Sequence, residues 1–597
     1  MLGLDSLLRV PQVDTQNGFD LAPDGEKLAF AWNRSGQWEI YQKHLSGGGE
    51  IELLTHGPGG KFSPRYSPDG KKLAYVVDLD GSEAFDIWLM DLVNQRAENL
   101  TPDTSFAFQP NLSWSPDGTQ IACISDRKGT FCTYLLDLET RQLRLVLDTP
   151  NPDWDLCYSP DGDWLAVEAE GQAQDYQVHL ISTLGGQALR LEIDGKPLNA
   201  RQVCWSPDAH HLALVSDLDG FANIAMYHLQ DGKLTWLTRG QGDKSMPDWS
   251  ADGRRLAYLH SQGPENWIAV LMLENGQTVR YQVGPGVHAW PIFTPDGDQL
   301  VVAFESPSHP TDLWLLSLSD GTCSQLTRSL PAEFDRSLFS MPVHLEYESL
   351  DGVRVPALLY QPAPSQNLPP AVLLVHGGPN WLFQYNWYPL IQHMLSRGWL
   401  VLAPNYRGST SYGREWQLAS RFDLGGVDAE DIIAGAAFLQ KAGLADPDRI
   451  VVTGRSHGGY LTMVCLTQAP EIWAGGSAVV PFLNWFTGHA NSREDLQHWD
   501  LENMGDPVEK AELWRSRSPY FYLDRISAPV QLICGAHDPR CPASESIEAR
   551  ERLLAMGKAV QFHLYPDEGH AFLKMDNLID AELRRVDFLA HCLEAEH

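Results

Sequence analysis

Two rhythms of apolar and polar residues divide this chain. In the first half a polar turn recurs, each time followed by two polar residues and a short apolar run. The turn stands at Ala22-Pro-Asp-Gly25, Tyr66-Ser-Pro-Asp-Gly70, Trp114-Ser-Pro-Asp-Gly118 and Tyr158-Ser-Pro-Asp-Gly162. It continues at Trp205-Ser-Pro-Asp-Ala209, Trp249-Ser-Ala-Asp-Gly253 and Phe293-Thr-Pro-Asp-Gly297. Pro-Asp-Gly supplies the turn, and the apolar run after it reads as a strand. Each repeat holds a second strand, such as Asp86–Asp91 or Thr311–Leu316. The second half has a different pattern. Apolar runs at Ala371–Val375, Arg449–Thr453 and Ala528–Cys534 read as buried strands, Val560–Tyr565 as a further strand, and Tyr460–Gln468 as a helix.

The repeat sets the architecture of the first half. The turn aspartates are Asp24, Asp69, Asp117, Asp161, Asp208, Asp252 and Asp296, spaced by 45, 48, 44, 47, 44 and 44 residues. That period fits one four-stranded propeller blade, and seven motifs predict seven blades. The aspartates read as turn formers rather than ligands. The Asp78–Gly81 and Asp217–Gly220 stretches lack full calcium-loop spacing and read as hairpin tips. The last propeller strand is expected to end near Leu318, and the Leu-Thr pattern that closes earlier blades returns at Leu326-Thr327. A new hairpin then begins, His344–Gly352 with Val353–Tyr360, which puts the boundary near residues 325 to 340. The expected domains are a β-propeller over 1–335 and an α/β-hydrolase over 336–597, with the N-terminal segment free to pack on the hydrolase.

The second half carries candidate chemistry. Gly454-Arg455-Ser456-His457-Gly458 follows an apolar strand and precedes a helix, the pattern of a nucleophile elbow. The turn is so sharp that its flanking positions need glycine, and it lifts the serine hydroxyl clear of the backbone. An acid and then a histidine should follow in chain order. Asp538 and His570 each lie in a loop just past a strand end, where open α/β sheets place their chemistry. We therefore read Ser456 as nucleophile, His570 as general base and then acid, and Asp538 as the residue that orients His570. His537 and Asp567 are the near-neighbour rivals. Upstream, the strand Ala371–Val375 ends in His376-Gly377-Gly378-Pro379, a motif that supplies an oxyanion donor. The expected pair is the N–H of Gly378 and the N–H of His457.

Composition narrows the classes. At 597 residues, 43% hydrophobic and 20% charged, the chain suits two globular domains. No run of apolar residues is long enough for a membrane helix, and residues 1–10 lack the pattern of a secretory leader. Nine scattered cysteines without Cys-x-x-Cys spacing fit a reducing cytoplasm and argue against zinc. His-Glu-x-x-His and Walker motifs are missing, so no metal and no cofactor are expected. A formal charge of −33 argues against nucleic acid or an anionic membrane as partner.

The second half resembles the prolyl oligopeptidase family of serine peptidases, and within it the acylaminoacyl-peptidase-like branch. The resemblance rests on His376-Gly-Gly-Pro379, Asn405-Tyr-Arg-Gly-Ser-Thr410, Gly425-Gly-Val-Asp428 with Asp431, the elbow through Tyr460, Gly505-Asp-Pro507, Arg517-Ser-Pro519, His537-Asp-Pro-Arg540 and Asp567-Glu-Gly-His570. These motifs span nearly the whole second half. The propeller matches only as a repeat. The resemblance implies a peptidase that cleaves short peptides through an acyl-enzyme, with the propeller excluding folded proteins. It implies that Arg540 binds a substrate carbonyl, a role its guanidinium fork suits. It puts the specificity pocket just past the elbow's following strand, where Phe482, Trp485 and Phe486 offer apolar walls, or are simply core. Such walls favour an apolar residue before the scissile bond. Relatives often associate, so a homo-oligomer stays open. The family often has Gly-Gly-Ser-Tyr-Gly-Gly at the elbow, where this chain has Arg455 and His457. The propeller shows no double-glutamate motif of the dipeptidyl peptidase branch. A dipeptidyl peptidase, a carboxypeptidase and an esterase or small-amide hydrolase remain the alternatives.

Overall fold

A computed structural model describes residues 2–45, 49–103 and 105–594. These fall into two compact units. One is Pro11–Leu79 with Glu83–Pro331; the other holds the residues through Val10, Asp80–Ser82 and the chain from Ala332.

The first unit is a seven-bladed β-propeller. Seven four-stranded antiparallel sheets follow one another from Phe19 to Gln325, each a simple meander of consecutive strands. The last strand is Cys323–Gln325, beyond the expected end near Leu318. Outer strands are this short and exposed because one face and one edge meet water, which leaves little apolar pattern to read. The recurrent turn joins the first and second strands of each blade. Its physical content is a closed hydrogen-bond loop: Ser67 Oγ donates to Asp69 at 2.7 Å, with the same pair at Ser115–Asp117, Ser159–Asp161, Ser206–Asp208, Ser250–Asp252 and Thr294–Asp296. The aspartates are thus turn formers. The motif's aromatic residue stitches neighbouring blades. The indole N–H of Trp114 donates to Arg65 O at 3.0 Å, and those of Trp205 and Trp249 reach Cys157 O and Cys204 O at 3.2 Å. Among the described residues, no sheet is shared between the first and seventh blades. They join by side-chain packing of Phe30, Trp32 and Tyr41 with Val301, Leu313 and Leu326, and by a 3.1 Å bond from the Trp32 indole to Ser329.

The second unit is an α/β-hydrolase built on one eight-stranded sheet. Its strands are β1 (Val343–Glu348), β2 (Arg354–Tyr360), β3 (Ala371–Val375), β4 (Leu400–Pro404), β5 (Ile450–Arg455), β6 (Gly475–Val479), β7 (Val530–Gly535) and β8 (Val560–Tyr565). Their order is β1-β2-β4-β3-β5-β6-β7-β8, with β2 antiparallel to both neighbours and every later pairing parallel. Central strands such as Ala-Val-Leu-Leu-Val are buried on both faces, which is why they read as unbroken apolar runs. Alternate residues serve opposite layers. Leu373, Leu402 and Val452 face a layer that includes helix α1 (Val427–Lys441) and helix α2 (His457–Gln468). Val372, Leu374 and Val451 face one that includes helix α3 (Met575–Glu594) and Leu4 of the N-terminal segment. Helix α2 begins at His457, three residues before the expected Tyr460, because the elbow glycines are its first turn.

Candidate active site

The parallel strands deliver their loops to one end of the sheet, and the candidate residues meet there. Strand β5 ends at Arg455, and Ser456 turns sharply into α2 with φ 59° and ψ −124°. A non-glycine residue in that region is strained and persists only where the surroundings impose it. Here they do. The Ser456 N–H donates to Val479 O at 2.9 Å, and its carbonyl accepts from Tyr460 N at 2.9 Å. The flanking glycines allow backbones to touch. A Cβ on Gly454 would lie 2.4 Å from Gly458 O, and one on Gly458 would lie 2.3 Å from Val375 O.

Asp538 and His570 are brought together. His570 Nδ1 lies 2.8 Å from Asp538 Oδ2 and 3.0 Å from Oδ1. Asp538 Oδ1 also accepts the N–H groups of Arg540 at 2.9 Å and Cys541 at 2.8 Å, so the carboxylate is held from its own loop. Its side chain is fully buried, which strengthens the charge-assisted bond to the imidazole. With Nδ1 engaged, Nε2 is the nitrogen left to face a nucleophile. Among the described residues, no hydrogen bond joins Ser456 to His570. Such bonds are often long before substrate arrives.

The two rivals lie elsewhere. Asp567 pairs with Lys574, and its carboxyl is held below the usual range by that contact. His537 is partly exposed on the acid's loop, with Nδ1 3.2 Å from Asp80 O. Glu568, between Asp567 and the histidine, is buried and accepts the N–H groups of Leu573 at 2.7 Å and Lys574 at 3.1 Å, which fastens the loop carrying His570.

The His376-Gly377-Gly378 loop runs against the elbow. A Cβ on Gly377 would lie 3.0 Å from Arg455 O and 3.3 Å from Ser456 Cβ. Among the described residues, the N–H groups of Gly378 and His457 have no protein acceptor. His376 is a strut. Its ring stacks on Tyr406 at 4.2 Å, its Nε2 lies 2.9 Å from Ser409 Oγ, and burial pushes its pKa down to about 3, so it stays neutral. The His457 side chain is buried, with Nε2 3.3 Å from Asp428 Oδ2, so it turns into the domain.

The three aromatics differ in placement. Trp485 is only 2% exposed and donates its indole N–H to Tyr460 Oη at 3.1 Å. Phe482 is half-buried, stacks on Tyr460 at 4.5 Å and comes within 6.3 Å of the His457 ring. Phe486 is half-buried against Trp514. The Arg540 side chain is exposed on the acid's loop. Two contacts escaped the sequence reading. Cys541 is buried beside the Ser456 side chain, with its thiol pushed well up by burial. Arg455 reaches over to the His570 backbone carbonyl. No periodicity or spacing marks either contact, because both cross between loops distant in sequence.

Residues 385–596 match the prolyl oligopeptidase family model. The chain carries a prolyl oligopeptidase family domain. Residues 18–131 match a TolB beta propeller domain. The chain is 26% identical over 641 residues to dipeptidyl aminopeptidase BIII of Pseudoxanthomonas mexicana, covering 99% of this chain and 88% of that one. Among solved structures it is similar to a Mycobacterium tuberculosis puromycin-hydrolyzing peptidase, at TM-score 0.85 and 21% identity, covering 100% of this chain and 96% of that chain. It is also similar to a Pyrococcus horikoshii acylaminoacyl peptidase, at TM-score 0.76 and 20% identity, covering 100% of this chain and 98% of that chain. The domain match and the peptidase relatives support a serine hydrolase. Among the described residues, no helix is long and apolar enough to cross a membrane, and no three His, Cys, Asp or Glu side chains are grouped to hold a metal.

Proposed function

We propose that this chain cleaves short peptides through an acyl-enzyme formed on Ser456. The observation that carries the reading is the strained Ser456 backbone, φ 59°, in one site with a His570–Asp538 pair at 2.8 Å. His570 Nε2 takes the Ser456 proton as Oγ attacks the substrate carbonyl carbon. The oxyanion forms between the N–H groups of Gly378 and His457. His570 then gives the proton to the leaving amine, and the acyl group remains on Ser456 as an ester. Water, deprotonated by His570, attacks that ester and releases the acid. Asp538 keeps Nδ1 protonated and stabilises the imidazolium.

An acylaminoacyl-peptidase or oligopeptidase specificity, with an apolar residue before the scissile bond, is the reading we favour. Phe482 and Phe486 supply partly exposed apolar surface, with Phe482 beside the elbow and Trp485 a rigid backing for it. Arg540, two residues past the acid, is the proposed carbonyl ligand. Nine unpaired cysteines fit work in a reducing cytoplasm. The similarity to a dipeptidyl aminopeptidase keeps a free-amino dipeptide specificity as the second reading. A chromogenic amide panel separates them: acetyl-blocked, free-amino dipeptidyl and free-carboxyl peptides with Phe, Leu, Ala or Pro before the scissile bond. Fast cleavage of acetyl-amino acid amides supports the first reading, and cleavage of free-amino dipeptides alone supports the second. Activity on esters with silence on every amide overturns both.

A further inference from the structure

The elbow position just before the nucleophile carries a long cation. Arg455 lies at the end of β5, half-buried, and its Nη2 donates to the main-chain carbonyl of His570. The guanidinium also lies over the Phe572 ring, 5.3 Å from its centroid, two residues further along the same loop. Phe572 in turn packs on Tyr565, the last residue of β8, at 4.9 Å. One side chain therefore bridges the turn that presents Ser456 and the loop that presents His570.

That loop needs such a bridge. It leaves β8, the edge strand of the sheet, so no neighbouring strand supports its outer side. Asp538 grips ring Nδ1, and the loop is tied down on either side of His570, by the His537 N–H to Glu568 O at 2.9 Å and by Glu568 to the N–H groups of Leu573 and Lys574, but none of these contacts holds the peptide of His570 itself. A second grip, on the His570 carbonyl, fixes the backbone and so sets where Nε2 points. The charged and titratable groups that face the guanidinium are Glu582 on α3, Asp538, Arg585 and the Cys541 thiol, which burial keeps neutral. Burial works against its charge, and Glu582 and Asp538 offset that cost. Arg585 is itself occupied, 3.2 Å from Glu582 and 2.8 Å from Thr453 Oγ1.

We propose that Arg455 is a positioning residue for the general base: by holding the His570 carbonyl it locks the spacing of nucleophile and base. The proposal rests on the triad reading given above. It touches no substrate, so it acts on the chemical step and not on binding.

The test uses the full chain and two kinds of readout. One is the rate of labelling by a fluorophosphonate, which needs His570 to take the Ser456 proton. The other is kcat and KM on the fastest p-nitroanilide of the panel, with thermal melting as a check of folding. Arg455→Met keeps the apolar stem and loses the donor. It should lower kcat and the labelling rate by about 100-fold, the effect of an ångström-scale misplacement, with KM unchanged. Arg455→Lys retains a charged donor and should recover much of that loss. If Arg455→Met does not fold, Arg455→Gln takes its place against Arg455→Lys: its amide nitrogen ends two bonds short of the Arg455 Nη2 that reaches the His570 carbonyl, so the same kcat loss and unchanged KM are expected of it. A methionine variant with wild-type kcat, a loss carried by KM, or a lysine variant no better than methionine overturns the positioning role. An unlabelled wild-type protein overturns the triad reading itself, which separates the two failures.

Discussion

Gly458 offers a sharp test of how the elbow is built. An ideal Cβ there would sit 2.3 Å from Val375 O, 2.7 Å from His376 O and 2.9 Å from Val375 C, all main-chain atoms at the end of β3. Ordinary contact begins at 3.4 Å, so Gly458→Ala must drive the two backbones apart by about 1 Å. No flexible side chain can absorb that shift. Overpacking of this kind costs about 1–3 kcal/mol and sometimes more, and rigid partners place it at the upper end. The displaced atoms lead directly into Gly377 and Gly378, so the proposed oxyanion donor moves with them. A misplacement of about 1 Å costs on the order of 100-fold in rate. Gly488→Ala is the control. Its Cβ would meet only the Phe482 side chain, at 3.6 Å or more, within a helix. There the same methyl should stabilise by about 0.5–1 kcal/mol. Thermal melting and kcat on one amide substrate would measure both variants. A Gly458→Ala protein with wild-type melting and turnover would refute the packing argument.

The remaining predictions concern the site and the two cores. Ser456→Ala should abolish fluorophosphonate labelling and turnover while melting like the wild type, and Asp538→Asn should lower kcat by about 10⁴-fold by misorienting the imidazole. Asp431→Ala should cost about 3 kcal/mol in denaturant unfolding, because it removes the fully buried carboxylate that meets the Arg407 guanidinium at 2.7 Å and leaves it only the partly exposed Asp351 at 2.6 Å. Burial raises Asp248 in the propeller to about 7. A carboxyl raised on folding favours the folded state below its unfolded pKa of about 4, and that advantage is lost as pH climbs to about 7. Asp248→Asn should therefore flatten the fall in unfolding free energy between about pH 4 and 7, by roughly 1.4 kcal/mol per pH unit, and an unchanged slope would contradict the assignment.

Much of this molecule is legible without coordinates. Seven recurrent turns, each built on an aspartate, declare the blades because each must close the same tight connection, and in six of them a local hydrogen bond from Ser or Thr to Asp does that within a few residues. The buried parallel strands and the glycines of the elbow are legible for a similar reason: local geometry there demands residue types that composition can show. The chain order of Ser456, Asp538 and His570 proposes a triad before any distance is known.

Contacts between remote segments are decided only by the folded chain. Whether Asp538 or Asp567 faces His570 depends on which loop tips converge, and Asp567 turns instead to Lys574. Trp485 and Phe482, three residues apart in one apolar stretch, both meet Tyr460 but receive different exposures, because Trp485 also packs on the remote Trp514. The meeting of Arg455 with the His570 carbonyl spans 115 residues of sequence and involves a backbone atom that every residue possesses. Local pattern records what a segment needs from its own neighbours. Which carboxylate, ring or carbonyl it meets across the sheet is set by tertiary packing.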